Sequence, residues 1–180
     1  MQIVGIEPIE TERLLLSPLR PEHAAQMWEV LREPALYTWI PRDPPDDVAA
    51  VERRFRAVSV GQSADGREQW LNWTAWLRTT REPVGLFEAT VQEDRKAYVA
   101  YTIRQALWRQ GYAIEGMRAV INTLFSSGVR EIEAEIDSRN LRSLSLVSRL
   151  GFVLAERKSK VEFFKGAWSD EEVWKLIPSA

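Results

Sequence analysis

The 180-residue chain has no cysteine and a single histidine. Without thiols there is no disulfide framework, no zinc ribbon and no cysteine nucleophile, and we expect no metal. His23 has no serine elbow to work with, so a nucleophile triad is not expected, and it falls in the first turn of a helix. Neither sign of charge dominates. The 24 Lys+Arg face 26 Asp+Glu, a net charge of −2, whereas a dedicated nucleic-acid binder is usually basic. No apolar run approaches the ~18 residues of a membrane span. The opening "MQIVGIEPIETERLLL" lacks a basic stretch followed by an apolar one. The expectation is therefore a cytoplasmic protein without nucleic-acid or membrane partners. No repeat, linker or low-complexity tract divides it, and residues 1–180 read as one domain, long enough to bury about 70% of its unfolded surface.

What is present is strongly patterned. "TERLLLSPL" reads as a strand ending at Pro18, and "RPEHAAQMWEVLRE" as a helix with Pro21 in its first turn. "YTWIPRDPPDD" is a proline-rich loop that launches a second helix, on which Val48, Val51, Phe55 and Val58 share a face. "QWLNWTAWLRTT" and "EPVGLFEATV" form a hairpin, and "KAYVAYTIR" is a third strand. "GYAIEGMRAVINTLFSS" is helical and closed by Gly128. "REIEAEID" alternates, with Ile132, Ala134 and Ile136 on one face and Glu131, Glu133 and Glu135 on the other, most simply the solvent face. "NLRSLSLVSRL" is a short helix closed by Gly151, and "FVLAERKSKVEFF" and "EEVWKLI" are the last strands. The expected fold is α/β (α+β), a mixed, mostly antiparallel central sheet flanked by helices.

Gly111 stands where a strand gives way to a helix, in "LWRQGYAIEG". The first helical amides have no intrahelical acceptor and carry the positive end of the macrodipole, so a phosphate can accept several of them where no side chain blocks it. Glycine at 111 and alanine at 113 permit that approach, and Arg109 adds a full charge. A tight turn without any ligand is the competing reading. No G-x-x-x-x-G-K-[ST] is present, and Gly111 with Gly116 does not make G-x-G-x-x-G, which weakens the nucleoside-triphosphate and dinucleotide readings.

The segment "NLRSLSLVSRLGF" follows the alternating strand, with Asn140, Ser143, Arg149, Gly151 and Phe152 in order. Together with "WRQGYAIEG" it resembles the GNAT N-acetyltransferase superfamily, in particular its RimJ/RimL-like branch. The T-E-R-L-x-L of that branch is found at Thr11 to Leu16. Its W-G-x-G-Y-A-T-E loop matches Trp108 to Glu115, its N-x-x-S-x-x-x-x-x-K-L-G-F matches Asn140 to Phe152, and its closing G-x-W-x-D matches Gly166, Trp168 and Asp170. The resemblance covers nearly the whole chain. It implies an acyltransferase that uses acetyl-CoA as co-substrate, with direct attack of a primary amine on the thioester. It also implies that the strand ending at Ile103 and Arg104 splays from its neighbour to admit pantetheine, with the amide around Ile103 polarising the acetyl carbonyl. Arg109, Gln110, Gly111, Tyr112, Ala113 and Ile114 would hold the diphosphate and Asn140 the pantetheine arm. Ser143 would protonate the leaving thiolate, or simply cap its helix. A homodimer is implied in the same way.

There are departures from the branch pattern. Arg109 replaces a glycine, Ile114 a threonine and Arg149 a lysine, and Tyr98 stands where many relatives carry a glutamate. The last keeps a second reading open, an acyl-CoA-binding sensor that has lost turnover. For an enzyme, Glu88, which interrupts an apolar strand, is the candidate base, with an ion pair or a solvated face as the alternative; Glu133 has a weaker claim. An α-amine with pKa near 7.8 needs only about 1 kcal/mol to be neutral at pH 7, against about 4.6 kcal/mol for an amine near 10.4. Trp39, Trp70, Trp73 and Trp76 are candidates for an aromatic acceptor cleft, with core packing expected for at least two. Asp43, Asp46 and Asp47 either attract a cationic acceptor or start the second helix.

Overall fold

The computed structural model describes residues 6–178; the first five residues of the N-terminal segment and the last two of the domain lie outside that range. Among the described residues, eight strands form one sheet: β1 (Ile9–Glu10), β2 (Leu14–Pro18), β3 (Glu68–Leu77), β4 (Pro83–Gln92), β5 (Lys96–Ile103), β6 (Glu131–Asp137), β7 (Val153–Phe164) and β8 (Ala167–Leu176). The spatial order is β1-β2-β3-β4-β5-β6-β8-β7. Every neighbouring pair is antiparallel except β5 and β6. That parallel step requires a crossover, and the crossover contains α3 (Tyr112–Ser126). The other helices are α1 (Ala24–Leu31), α2 (Val48–Val58) and α4 (Leu141–Arg149).

The two faces of the sheet carry separate cores. On one, α1 and α2 bury Met27, Leu31, Val51 and Phe55 against Leu86 of β4. The stripe expected on the second helix is the one used, with Val48 and Val58 packed at its margin. On the other face, α3 lays Met117, Val120, Ile121 and Leu124 over Phe87, Ala89 and Val91. Contact is close at Gly116, where a Cβ would sit 2.2 Å from Cζ of the buried Phe87 ring. The helix can approach the strand that closely only without a side chain at 116.

Three local features differ from the pattern reading. The first helix opens as a 3-10 turn at Pro21–His23 before α1 begins. The last strand starts at Ala167 rather than Glu171, because the β7–β8 hairpin closes on Lys165 and Gly166, whose positive φ of 49° and 80° makes a two-residue turn. The glutamate face of β6 is not a plain solvent face either. Glu133 is buried, and its charge is met by Lys175 of β8 at 2.8 Å.

The arrangement that positions a site is the parting of β5 from β6. Their pairing runs Lys96–Glu131, Ala97–Ile132, Tyr98–Glu133 and stops there. Beyond that point β5 remains paired with β4 as far as Ile103, and β6 with β8 as far as Asp137. The sheet therefore opens into a split with Tyr98 and Glu133 at its vertex.

Candidate active site

The amide of Arg104 donates to Val84 O of β4 at 2.8 Å. Successive residues of a strand direct their backbone groups to opposite sides. The amides of Val99, Tyr101 and Ile103 consequently face the split. Ile103 O on that side is already taken by Trp108 Nε1 at 2.6 Å, which fastens the following loop to the strand end. The Arg104 guanidinium is directed at Glu33, 3.8 Å away, on the α1 side of the sheet. Its side chain is thus directed away from the split that the strand end at Ile103 and Arg104 is expected to open to pantetheine.

Beyond Trp108 the chain turns through two residues with positive φ, Arg109 at 63° and Gly111 at 85°. Gly111 is the N-cap of α3, and its carbonyl accepts the first helical bond from Glu115 at 3.0 Å. Glycine is favoured here on two counts, the left-handed backbone and an Arg13 Nη2 only 3.2 Å from any added Cβ. Among the described residues, the amides of Tyr112, Ala113 and Ile114 donate to no protein acceptor. The tight-turn reading and the anion reading therefore describe the same residues: the turn is what bares the amides.

The loop is held from below by the first of the four sequence motifs. Thr11 Oγ1 and the Arg13 amide donate to Glu115 Oε1 at 2.6 and 2.8 Å, and Arg13 Nε donates to Oε2 at 2.6 Å. Arg13 Nη1 reaches Gln110 O at 2.9 Å, and its guanidinium lies 4.3 Å over the Tyr112 ring. Burial works against the Glu115 charge, but the bonds from Thr11 and Arg13 outweigh it and hold the carboxyl below its usual range. Gln110 Nε2 turns back to Ala106 O at 2.9 Å. Among the described residues, Arg109, which is exposed, and Arg142 of α4, 4.5 Å over the Trp108 ring, stand beside the loop without an ion pair.

Asn140 is the N-cap of α4, its side-chain oxygen accepting from the Ser143 amide at 3.3 Å. The Ser143 hydroxyl is left for another partner and meets the Tyr101 hydroxyl at 2.9 Å. Burial raises the pKa of that phenol, with the Ser143 bond acting the other way. Sequence pattern alone does not single out Tyr101, although its period-two relation to Ile103 places it on the same side of β5.

At the vertex a cleft of about 360 Å³ opens on the α1–α2 side, lined among others by Trp70, Glu88, Tyr98, Val99, Glu133 and Arg42. Glu88 sits on β4 between Asn72 and Ala100 and pairs with Arg54 of α2 at 2.8 Å. The ion-pair alternative for Glu88 is thus the arrangement seen, and the residue also lines the cleft. Of the tryptophans, Trp70 lines the cleft while Trp73 and Trp76 pack into the two cores. Trp39 lies against Arg139, 5.1 Å from its ring centre, and Arg139 grips Asp137 at 2.9 and 2.6 Å. His23 bonds Thr74 Oγ1 at 2.9 Å beside Trp76, its pKa lowered by burial and by Arg20. Asp47 caps α2 through Ala50 N at 2.7 Å, and neither Asp43 nor Asp46 lines the cleft.

Comparison with known proteins agrees with this layout. Residues 13–153 match the family model described as an acetyltransferase (GNAT) domain. The chain is 24% identical over 175 residues to an uncharacterized N-acetyltransferase, p20, of Bacillus licheniformis, covering 96% of this chain and 97% of that one. Among solved structures, the Salmonella typhimurium acetyltransferase that modifies the N-terminal serine of ribosomal protein L7/L12 superposes with a TM-score of 0.83 at 16% identity, covering 96% of this chain and 100% of that one. The microcin C7 self-immunity acetyltransferase MccE, solved with acetyl-CoA and AMP, gives 0.80 at 14% identity over 93% and 94% of the two chains. With a split sheet, a bared helix N-terminus beside it and a family match across most of its length, the chain belongs to the GNAT acetyltransferase family and is an acetyl-CoA-dependent acyltransferase.

Proposed function

We propose that the protein moves an acetyl group from acetyl-CoA directly to a primary amine seated in the Glu88 cleft. The observation that carries this reading is the continuity of β5. Its Tyr98–Ala100 stretch lines the cleft, its inward amides follow the split, and its end leads into the bared amides of α3.

Acetyl-CoA, when bound, supplies an acyl group already activated as a thioester, so the chain has to position it, polarise it and move protons. The amides of residues 111–114 would take the diphosphate, each worth roughly 0.3–1 kcal/mol, with Arg109 and Arg142 adding full charges. The Ile103 and Tyr101 amides and the Asn140 side chain face the pantetheine arm. We assign polarisation of the acetyl carbonyl to the Val99 amide rather than to Ile103. At about 3.3 Å per residue, Ile103 lies some 16 Å beyond Tyr98, while Val99 lines the cleft itself. Ser143, backed by Tyr101, is the proton donor to the departing thiolate. Glu88 orients the amine and accepts its proton, a modest task when the acceptor is an α-amine.

Two measurements separate this from a CoA sensor, the reading that Tyr98 in the cleft keeps alive. Calorimetry should show saturable CoA binding, weakened at least ten-fold by Gly111→Trp. Thiol release from acetyl-CoA should then appear with some class of primary amine. Binding without turnover on amino acids, peptides, polyamines and aminoglycosides would favour the sensor; binding indifferent to Gly111→Trp would remove the diphosphate site.

A further inference from the structure

Three carboxylates line the cleft, and a polyamine would be the obvious guest for them. Each, however, already has its cation. Glu88 meets Arg54, Glu133 meets Lys175 and Glu135 meets Lys158, all at 2.8 Å. The remaining charged residue of the lining is Arg42, whose guanidinium makes no hydrogen bond or ion pair among the described residues. With the three acid–base pairs cancelling, the cleft presents one unmatched positive charge.

Arg42 is also held in place. The loop that carries it is fastened by the ammonium of Lys165, at the β7–β8 turn, which donates to the carbonyls of Tyr37, Ile40 and Arg42, the last two at 3.4 and 3.2 Å. One lysine from a distant hairpin thus fixes the backbone on which Arg42 stands. The buried Tyr37 phenol lies within electrostatic reach of Arg54, Arg42 and Glu88, which places these groups around a common space. A guanidinium presents a planar fork that suits carboxylate and phosphate oxygens. A polycation would instead bring several positive charges to a cleft whose acid–base pairs cancel and whose remaining charge is the like charge of Arg42.

We infer that Arg42 is the acceptor-recognition residue, and that the acceptor is a small primary amine bearing its own anionic group, a carboxylate or a phosphate. The inference rests on the amine-acetylating reading above. A matched panel tests it: amino acids against their C-terminal amides, phosphoethanolamine against ethanolamine, and spermidine as the polycation. Two readouts are needed, thiol release from acetyl-CoA and calorimetric binding of each amine to the protein–CoA complex. The anionic member of at least one pair should be preferred about ten-fold, the order expected of one charge-assisted contact. Arg42→Gln should bring that ratio to within about two-fold, and Arg53→Gln, an exposed change on α2, should leave it unaltered. The carboxylate and phosphate arms identify which anion is recognised. Preference for the neutral amine or for spermidine, or a ratio unmoved by Arg42→Gln, overturns the inference. Absence of turnover on every amine with anion-dependent binding intact would instead refute the transfer reaction and leave the role of Arg42 standing.

Discussion

Glu115 offers the sharpest test of how the loop is built, because its carboxylate is the point where the N-terminal strand and the α3 N-terminus meet. Glu115→Gln keeps an oxygen for Thr11 and for the Arg13 amide, but it sets an NH₂ group against Arg13 Nε and removes the charge. A hydrogen bond to a charged group is worth about 1.5–3 kcal/mol. The Glu115 side chain is 17% exposed and that of Arg13 40%, so screening by water reduces the loss to about 1–2 kcal/mol. For a chain of this size, that lowers Tm by about 2–8 °C. The pH dependence has a fixed sign. Because Glu115 titrates below its usual value of 4.5 in the folded protein, its contribution is complete above the unfolded value and is lost as pH falls through the folded one. The Tm gap between wild type and variant should therefore be full at pH 7 and shrink below about pH 4.5. Arg13 also holds Gln110 O, so CoA affinity in calorimetry should fall about three- to ten-fold. A Tm gap below 1 °C with unaltered CoA affinity, or a gap that widens on acidification, would refute this reasoning.

Other variants address the chemistry and the packing. Ser143→Ala leaves the Asn140 cap intact, because that bond uses the Ser143 amide; kcat should fall about 10–100-fold with the KM for acetyl-CoA nearly unchanged. Tyr101→Phe should give a smaller loss of the same kind. A change confined to KM would remove both hydroxyls from the proton path. Glu88→Gln should lower kcat/KM at neutral pH and recover progressively toward pH 9, as the amine loses its proton unaided; a pH-independent deficit would leave Glu88 with an orienting role only. Gly116→Val drives side-chain atoms into the buried Phe87 ring, and overpacking of about 1–3 kcal/mol should lower Tm by several degrees. A variant as stable as wild type would show that α3 can lift off β4 at little cost.

The parts of this fold that sequence pattern reveals are those held by local chemistry. The helical stripe of α3, the alternation of β6, the helix start at Asp47 and the left-handed glycine at 111 all follow from spacing or from backbone preference. What escapes is set by contacts between distant residues. Thr11 and Glu115 are 104 positions apart, and nothing within "TERL" indicates a carboxylate waiting under a helix. The Glu131/Glu133/Glu135 face shows alternation, but its burial is decided by Lys175 and Lys158 arriving from later strands. Arg42 sits in a proline-rich loop with no period, and its place at the cleft depends on Lys165, more than a hundred residues on. The tryptophans divided for the same reason. Composition predicts that some of them are core, but only the sheet decides that Trp73 is buried and Trp70 faces the cleft.

The central claim is that the amides opening α3 grip the diphosphate of acetyl-CoA while its acyl arm lies in the split between β5 and β6. A crystal structure of the protein with CoA tests it directly. The account predicts diphosphate oxygens within hydrogen-bond distance of the amides at 111–114 and a pantetheine chain running along Ile103 and Tyr101 toward Val99. A diphosphate bound anywhere else, or a β5–β6 split filled by protein side chains in the complex, would contradict it.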